Sequence, residues 1–227
     1  FTDQVYVSGL GAHTQYLGWG LQLLDIDHDG RKEALLINGH VYPEVDQANL
    51  ATTYRQPRLL YWNVGGGGFK DLSEESGPGI REAWSSRGAA SGDLDNDGSL
   101  EVVISNMGAR PSLLKNYGPS KSWLLVKSTG VTANRDAIGA RAYVYVSGRR
   151  ISGEVQTGTS FLSQNDSRLH FGLGGAPAYE RIEVQWPGGK REAFAGGKAN
   201  RIVELKQGTG SPAAERKSAA GRIARSR

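Results

Sequence analysis

Two acidic stretches of the sequence have the residue types and spacing of metal-binding loops. The first reads Asp-x-Asp-x-Asp-Gly from Asp25 and reaches a further carboxylate at Glu33, and the second repeats this pattern from Asp93 to Glu101. Three carboxylates at alternate positions before a glycine put hard oxygen ligands on one tight turn, and oxygen ligands favour calcium over zinc or copper. The predicted ligands are Asp25, Asp27, Asp29, Arg31, Glu33, Asp93, Asp95, Asp97, Ser99 and Glu101. Arg31 and Ser99 would bind through their backbone carbonyls, and the others through their carboxylates. We therefore expect about two calcium ions.

These loops are not helix-flanked EF-hand loops. In an EF-hand a Glu closes the site at the twelfth position, and the twelfth residues here are Leu36 and Ile104. An acidic surface turn that binds no ion is the alternative for either loop taken alone. Two copies in register make that alternative much weaker.

The two loops belong to an internal repeat with an offset of 68 positions, from Asp25 to Asp93. An apolar run too short for a helix follows each loop and indicates a buried strand, and a second strand is expected after it. Asn38 to Asn63 spans 25 positions in the first copy, whereas Asn106 to Asn116 spans 10 in the second. The first copy therefore contains an insertion of about 15 residues, and insertions in repeat arrays map to loops on one face.

The second half of the chain has a different pattern. Ile182, Val184 and Trp186 alternate with polar residues, which indicates a strand with one buried face and one solvated face. Strands are also predicted over 123–127 and 140–146, with turns between them at the spacing of a small sandwich. We therefore predict an all-β chain with domains at 1–116 and 120–207, followed by a disordered basic tail at 208–227.

Composition narrows the functional classes. The chain has 32 glycines and no cysteine, so disulfides and thiolate chemistry are excluded. Its net charge of +4 resides in the C-terminal tail, where five basic residues accompany one acidic residue, so we do not predict nucleic-acid binding. No apolar run approaches the length of a membrane span. The first residue, Phe1, opens inside a repeat unit without a signal peptide, which we interpret as a cut within a longer chain.

The first half resembles the FG-GAP or VCBS blade repeat of calcium-binding β-propellers. The resemblance rests on the acidic loop, the short strand, the following Asn, the second strand, the Gly-rich turn and the segment 69–73. It implies a partial β-propeller in which the first, third, fifth and ninth loop residues bind calcium. Closed propellers have about four to eight blades, whereas this sequence shows two loops.

The second half resembles the ASPIC/UnbV domain. The motifs that carry this resemblance are the segments 134–140, 163–165, 170–174 and 186–189. With the preceding repeats, the chain resembles the C-terminal part of the cartilage acidic protein 1 family, whose bacterial members are mostly secreted. The resemblance implies a β-sandwich-like domain, calcium binding and adhesion, and no chemical activity.

Three functions remain open from the sequence. The first is a secreted or periplasmic calcium-binding adhesion module, without catalysis, that contacts an extracellular protein or glycan. The second is a carbohydrate-active enzyme similar to polysaccharide lyases, with His40, Tyr42 and Tyr54 as candidate catalytic residues. The third is a purely structural segment of a larger secreted protein. His170 is interpreted as a structural hydrogen-bonding residue, and 134–136 as a turn rather than a ligand site.

Overall fold

The computed structural model describes residues 2–48, 50–118 and 121–213. The first half forms two antiparallel sheets that we call blade one and blade two. Blade one has the strand order β1-β2-β3-β4, with strands β1 (Gly18–Leu24), β2 (Glu33–Asn38), β3 (Leu59–Gly65) and β4 (Gly68–Asp71). Blade two has the order β5-β6-β7, with strands β5 (Ser86–Gly92), β6 (Glu101–Asn106) and β7 (Ser112–Leu114). A 3₁₀ helix, Pro43–Gln47, lies in the insertion, and a single helical turn, α1 (Pro78–Arg81), precedes blade two.

The two blades pack face to face through the apolar strands that follow the acidic loops. Side chains alternate between the two faces of a strand. Leu35 and Ile37 of β2 therefore share one face, and they are buried in the same core as Val102 and Ile104 of β6. The opposite face of blade one is covered by apolar residues that precede β1. The acidic loops thus lie at one end of a packed pair of sheets, between the first and second strand of each.

The second half is a sandwich of two sheets, which we call the C-terminal domain. Its strands are β8 (Ser122–Thr129), β9 (Arg141–Val146), β10 (Arg149–Glu154), β11 (Leu169–Gly174), β12 (Ala178–Gln185), β13 (Arg191–Lys198), β14 (Arg201–Lys206) and β15 (Ser211–Pro212). The five-stranded sheet has the order β10-β9-β12-β13-β15, and the three-stranded sheet has the order β11-β8-β14. Leu124, Val144, Phe171 and Ile182 are among the residues that fill the core between them.

The predicted all-β class with blade-like sheets and a sandwich-like second part is confirmed. No closed barrel occurs among the residues that the structure describes, in keeping with a partial propeller. The predicted start of the tail at residue 208 is wrong, because Ser211–Pro212 form β15 against Glu192 and Ala193 of β13. The rest of the predicted tail, 214–227, lies outside the described residues. None of the helices in the described ranges has the length and apolar character that a membrane crossing requires.

Candidate metal centres

The first acidic loop, 25–33, closes on its own carboxylates. Asp25 accepts hydrogen bonds from the backbone N–H groups of Asp29 at 3.0 Å and Gly30 at 2.9 Å. Glu33 reaches back across the loop and accepts a hydrogen bond from the N–H of Ile26 at 2.9 Å. Because β1 ends at residue 24 and β2 begins at Glu33, two paired strands fix both ends of the loop.

The second loop, 93–101, repeats these hydrogen bonds one for one. Asp93 accepts from the N–H groups of Asp97 at 3.1 Å and Gly98 at 2.9 Å, and Glu101 accepts from the N–H of Leu94 at 3.0 Å. Even the shorter bond between the fifth and seventh residues recurs at 2.7 Å in both loops. The repeat seen in the sequence is therefore also a repeat of loop geometry.

Both loops need left-handed backbone at the same two positions. His28 has a φ of 59° and Asn96 a φ of 62° at the fourth position, and Gly30 and Gly98 have φ values of 90° and 93° at the sixth. Such angles are cheap for glycine and costly for most other residues. The glycine is therefore a conformational requirement of the loop.

Each loop gathers three carboxylates close enough to share a cation. One carboxylate oxygen from each member of the two sets lies within 4.8 Å of the others, and the sets are Asp25, Asp27 and Asp29, and Asp93, Asp95 and Glu101. The Oε1 atoms of Glu33 and Glu101 are buried and have no hydrogen-bond partner among the described residues. An unpaired buried carboxylate oxygen costs free energy unless a cation or a proton accompanies it. The donor set and these two oxygens fit a hard divalent cation such as calcium.

The electrostatics of the first loop point the same way. Burial raises the pKa of Asp25 to about 6, and the neighbouring carboxylate of Asp29 adds to the rise. Burial likewise raises the pKa of Glu33 to about 7, with further contributions from Asp25 and Asp27. Carboxylates whose charged forms are disfavoured in this way regain them when a cation binds between them.

Three basic side chains lie beside the acidic clusters. The Lys121 ammonium contacts Asp27 at 2.6 Å, Arg31 pairs with Asp29 and Lys115 pairs with Asp95. The pairing with Lys115 holds the pKa of Asp95 below its usual range. The cations therefore offset part of the mutual repulsion of the carboxylates, and an incoming metal ion would compete with them for the same oxygens.

The C-terminal domain docks directly on the first loop. The N–H of Gly172 donates to Asp25 Oδ2 at 3.0 Å, and the N–H of Gly174 donates to the carbonyl of His28 at 2.7 Å. Arg149 adds a hydrogen bond of 3.1 Å to the carbonyl of Asp29. Strand β11 thus completes the hydrogen bonding of a predicted metal ligand from outside the loop.

The same domain also docks on the second loop. His170 Nε2 lies 2.9 Å from the carbonyl of Gly98, and the Trp123 ring covers the same glycine so closely that an added Cβ would lie 2.1 Å from it. Arg168 donates to the carbonyl of Asp93 at 2.7 Å and to Asn96 Oδ1 at 2.6 Å. One face of the C-terminal domain therefore contacts both loops at once.

Sequence reasoning identified the acidic residues of both loops but did not find Lys115, Lys121, Arg168 or Gly172. No local pattern marks them, because the loop residues that they contact are 20 to 147 positions away. Gly172 is the one signal in the sequence for this contact, since a glycine within a strand indicates the close approach of another chain segment. The other predicted ligands, Arg31 and Ser99, lie in the loops with their N–H groups bonded to Asp29 and Asp97.

The other candidates from the sequence lie away from the two clusters. His40 Nδ1 contacts the backbone of Tyr42, and the carbonyl of Tyr54 accepts a hydrogen bond from the N–H of His40. Asn134 bonds both the N–H and the carbonyl of Ile138, as expected of a turn. His170 is a half-buried hydrogen-bonding residue whose ring centroid lies 5.0 Å from that of His28.

Comparisons with protein families agree with this architecture. Residues 130–212 match the family model described as "ASPIC and UnbV", and residues 49–104 match the one described as "FG-GAP-like repeat". One segment of the chain is therefore similar to an FG-GAP-like repeat and another to an ASPIC and UnbV domain. The second acidic loop lies inside the matched repeat.

Two curated proteins are similar to the chain in sequence. The chain is 31% identical over 148 residues to cartilage acidic protein 1 of Homo sapiens. The aligned region covers 59% of this chain and 21% of the human protein. The match to cartilage acidic protein 1 of Mus musculus has the same identity and covers 22% of that protein. The predicted resemblance to this family is confirmed, and the chain spans about a fifth of the length of the relatives it matches. These similarities indicate an extracellular module.

Proposed function

We propose that this chain is an extracellular calcium-binding module that serves adhesion or binding and has no catalytic activity of its own. The observation that carries the proposal is the pair of acidic clusters, each in a loop whose glutamate has a buried oxygen without a hydrogen-bond partner among the described residues. Two loops that repeat the same hydrogen bonds favour a common ligand, and their oxygen donors favour calcium.

The first site would use Asp25, Asp27, Asp29 and Glu33, with the carbonyl of Arg31. The second would use Asp93, Asp95, Asp97 and Glu101, with the carbonyl of Ser99. When bound, calcium supplies positive charge to carboxylates that would otherwise repel one another. The chain's own residues then hold the loop ends in register and attach the loops to the C-terminal domain. In this proposal the ions act on rigidity rather than on reaction chemistry.

Three observations favour binding over catalysis. Desolvation of the half-buried His170 ring, together with His28, lowers its pKa to about 4, so it is neutral at pH 7 and serves as a hydrogen-bonding group. The candidate lyase residues His40 and Tyr42 contact each other, with ring centroids 6.2 Å apart, in the exposed insertion. The carboxylates that cluster are those assigned to calcium, and a metal-bound carboxylate is a poor proton carrier because the cation lowers its pKa.

We also propose that the functional division of the chain lies between residues 116 and 120. The blade cores and the core of the C-terminal domain share no residue, which supports this boundary. The partner in this proposal is an extracellular protein or glycan, and the insertion that contains Pro43–Gln47 is a candidate contact region because it is largely exposed.

Calorimetric titration with calcium tests the proposal. We expect about two sites with dissociation constants in the micromolar to millimolar range. The variant with Asp27→Ala and Asp95→Ala should lose most of the binding heat, because each substitution removes one ligand from one cluster. The matched control is Glu74→Gln with Glu75→Gln, which removes two exposed carboxylates outside the loops. No calcium heat from the unmodified protein, or equal heats from the two variants, would overturn the assignment.

A further inference from the structure

A groove lies at the junction between the blades and the C-terminal domain. Its deep end is a cleft of about 360 Å³ lined by residues of β1, the start of both acidic loops and the segment 153–170. A second depression of about 340 Å³ adjoins it and shares Lys32, Gly153, Glu154 and Gln156 as lining residues. The shared residues join the two cavities into one groove that crosses from the blades to the five-stranded sheet.

The groove opens onto the solvated face of that sheet, which we call the arginine–tyrosine face. Directly paired residues of antiparallel strands lie on the same face of a sheet. Tyr145 pairs with Arg150 of β10 and with Arg181 of β12, and Tyr143 pairs with Ser152 and Glu183. The full outward set of charged and aromatic residues is Arg141, Tyr143, Tyr145, Arg150, Glu154, Arg181, Glu183 and Arg191.

The tyrosine rings hold the guanidinium groups of this face in place. The guanidinium carbon of Arg181 lies 3.5 Å from the centre of the Tyr145 ring. Those of Arg150 and Arg191 lie 5.1 Å and 5.6 Å from the centre of the Tyr143 ring. Stacking holds the guanidinium planes in place, so these groups lose little conformational entropy when they bind an anion. Arg181 also donates to Glu183 at 2.9 Å and Arg191 to Gln185 at 2.8 Å, which leaves their other N–H groups for a ligand. The face therefore presents preordered donors for carboxylate or sulfate groups.

The second depression and the arginine–tyrosine face together carry a net positive charge, whereas the cleft at the deep end is lined by more acidic than basic residues. Lys32 and the four arginines give five cations against the two carboxylates Glu154 and Glu183, a net charge of 5 − 2 = +3. Neither Lys32 nor Arg150 takes part in an ion pair among the described residues, and both are exposed. At the deep end, Asp166 pairs with Arg168. The remaining deep acids, Asp25 and Asp93, belong to the two acidic loops.

We propose that the part of this groove at the second depression and the arginine–tyrosine face bind an acidic polysaccharide, a chain of sugars that carries carboxylate or sulfate groups. The inference rests on the proposed function of the chain as a binding module and names the class of partner. Arginine forks recognise carboxylate and sulfate oxygens by paired hydrogen bonds. Hydroxyl and amide groups along the groove, such as those of Ser152, Gln156 and Thr159, suit the hydroxyl groups of sugars.

The same contacts favour this partner over single-stranded nucleic acid. Binding of single strands depends on aromatic rings that are free to stack on bases. Here the Tyr143 and Tyr145 rings already contact arginine side chains. In the cleft, the Trp19 ring contacts both Phe161, at 4.9 Å between ring centroids, and Arg87, at 4.5 Å. An extended chain with regularly spaced anions uses the arginine edges and needs no free ring.

The test uses the full chain, saturated with calcium, and measures its affinity for heparin, polygalacturonate and neutral dextran of similar length. We expect binding to heparin, to polygalacturonate or to both, and none to dextran. The variant Lys32→Gln with Arg150→Gln should bind the acidic chain about tenfold more weakly and show a shallower dependence of log affinity on log salt concentration. The charge-matched control, Lys70→Gln with Lys206→Gln, removes two exposed lysines elsewhere and should stay within about twofold of the unmodified protein.

The outcomes separate this inference from the proposed function. The basic segment 214–227 is present in the unmodified protein and in both variants. Any attraction between this segment and the acidic polysaccharide therefore cancels in the comparison. Equal weakening in the two variants would overturn the proposal, because binding would then follow net charge alone. Equal binding of polyglutamate or single-stranded DNA would overturn the preference for a glycan. A calcium titration of each variant keeps the two questions apart, since glycan binding can be absent while calcium binding persists.

Discussion

Substitution of Gly172 by alanine should break the contact between the C-terminal domain and the first acidic loop. A Cβ at this position would lie 2.1 Å from Asp25 Oδ2 and 2.4 Å from the backbone of His28. Strand and loop must then move apart by about 1 Å or more before ordinary van der Waals contact is restored. Overpacking of this kind costs about 1–3 kcal/mol, and loss of the hydrogen bond from Gly172 to the Asp25 carboxylate costs about 1.5–3 kcal/mol. We therefore expect a loss of about 2.5–6 kcal/mol in the free energy of unfolding if the two costs add.

Urea denaturation with and without calcium measures that loss, and Gly175→Ala provides the control. Gly175 follows the end of β11, and an added Cβ there meets nothing within 4 Å. Calorimetry should also show one calcium site weakened about tenfold, because displacement of Asp25 alters the first loop while the second stays intact. If Gly172→Ala is as stable as Gly175→Ala and keeps two equal calcium sites, the domain does not support the loop and the reasoning is wrong.

Three further predictions concern the loops and the blades. Calcium should raise the melting temperature, and magnesium should do so much less because it gives up its water ligands reluctantly; equal shifts in a thermal scan would argue against calcium sites. Burial raises the pKa of Asp25 to about 6 and of Glu33 to about 7, so the folded calcium-free protein binds protons more tightly than the unfolded chain. These groups stabilise the calcium-free protein at low pH, and that contribution is lost between about pH 4 and 7. The calcium-induced rise in melting temperature should therefore be larger at pH 8 than at pH 5. Leu35→Ala should lower the free energy of unfolding by about 2–5 kcal/mol, and Val103→Ala should lower it by about 1 kcal/mol or less. The reason is that Leu35 is 3% exposed, whereas its repeat equivalent Val103 is 43% exposed. Urea denaturation of both variants measures the two losses.

The sequence predicted the repeat and both acidic loops because their signals are local and occur twice. Asp25 and Asp93 begin the same run of residues, and the loop hydrogen bonds then follow from the positions of the carboxylates and the glycine. The strands were predictable for a similar reason. Ile182 and Val184 alternate with polar residues, and β12 buries both of them.

The contact between the C-terminal domain and the loops could not be predicted in this way. Gly172 and Asp25 are 147 positions apart, and Arg168 and Asp93 are 75 apart, so no window of sequence contains both partners. The residues on the domain side are two glycines, two arginines, a tryptophan and a histidine, which share no periodicity. Their common role depends on how two sheets and a sandwich fit together, and that fit is fixed by packing rather than by a motif.

The simultaneous contact of one domain with two loops has a consequence for the modular exchange of these units. Gly172 and Arg149 contact the first loop, while Trp123 and Arg168 contact the second. A single repeat transplanted from another protein would match only half of this surface, even if its own loop were intact. The two blades and the C-terminal domain should therefore be inherited together. In protein engineering they should be transferred as one unit of three parts rather than exchanged one at a time.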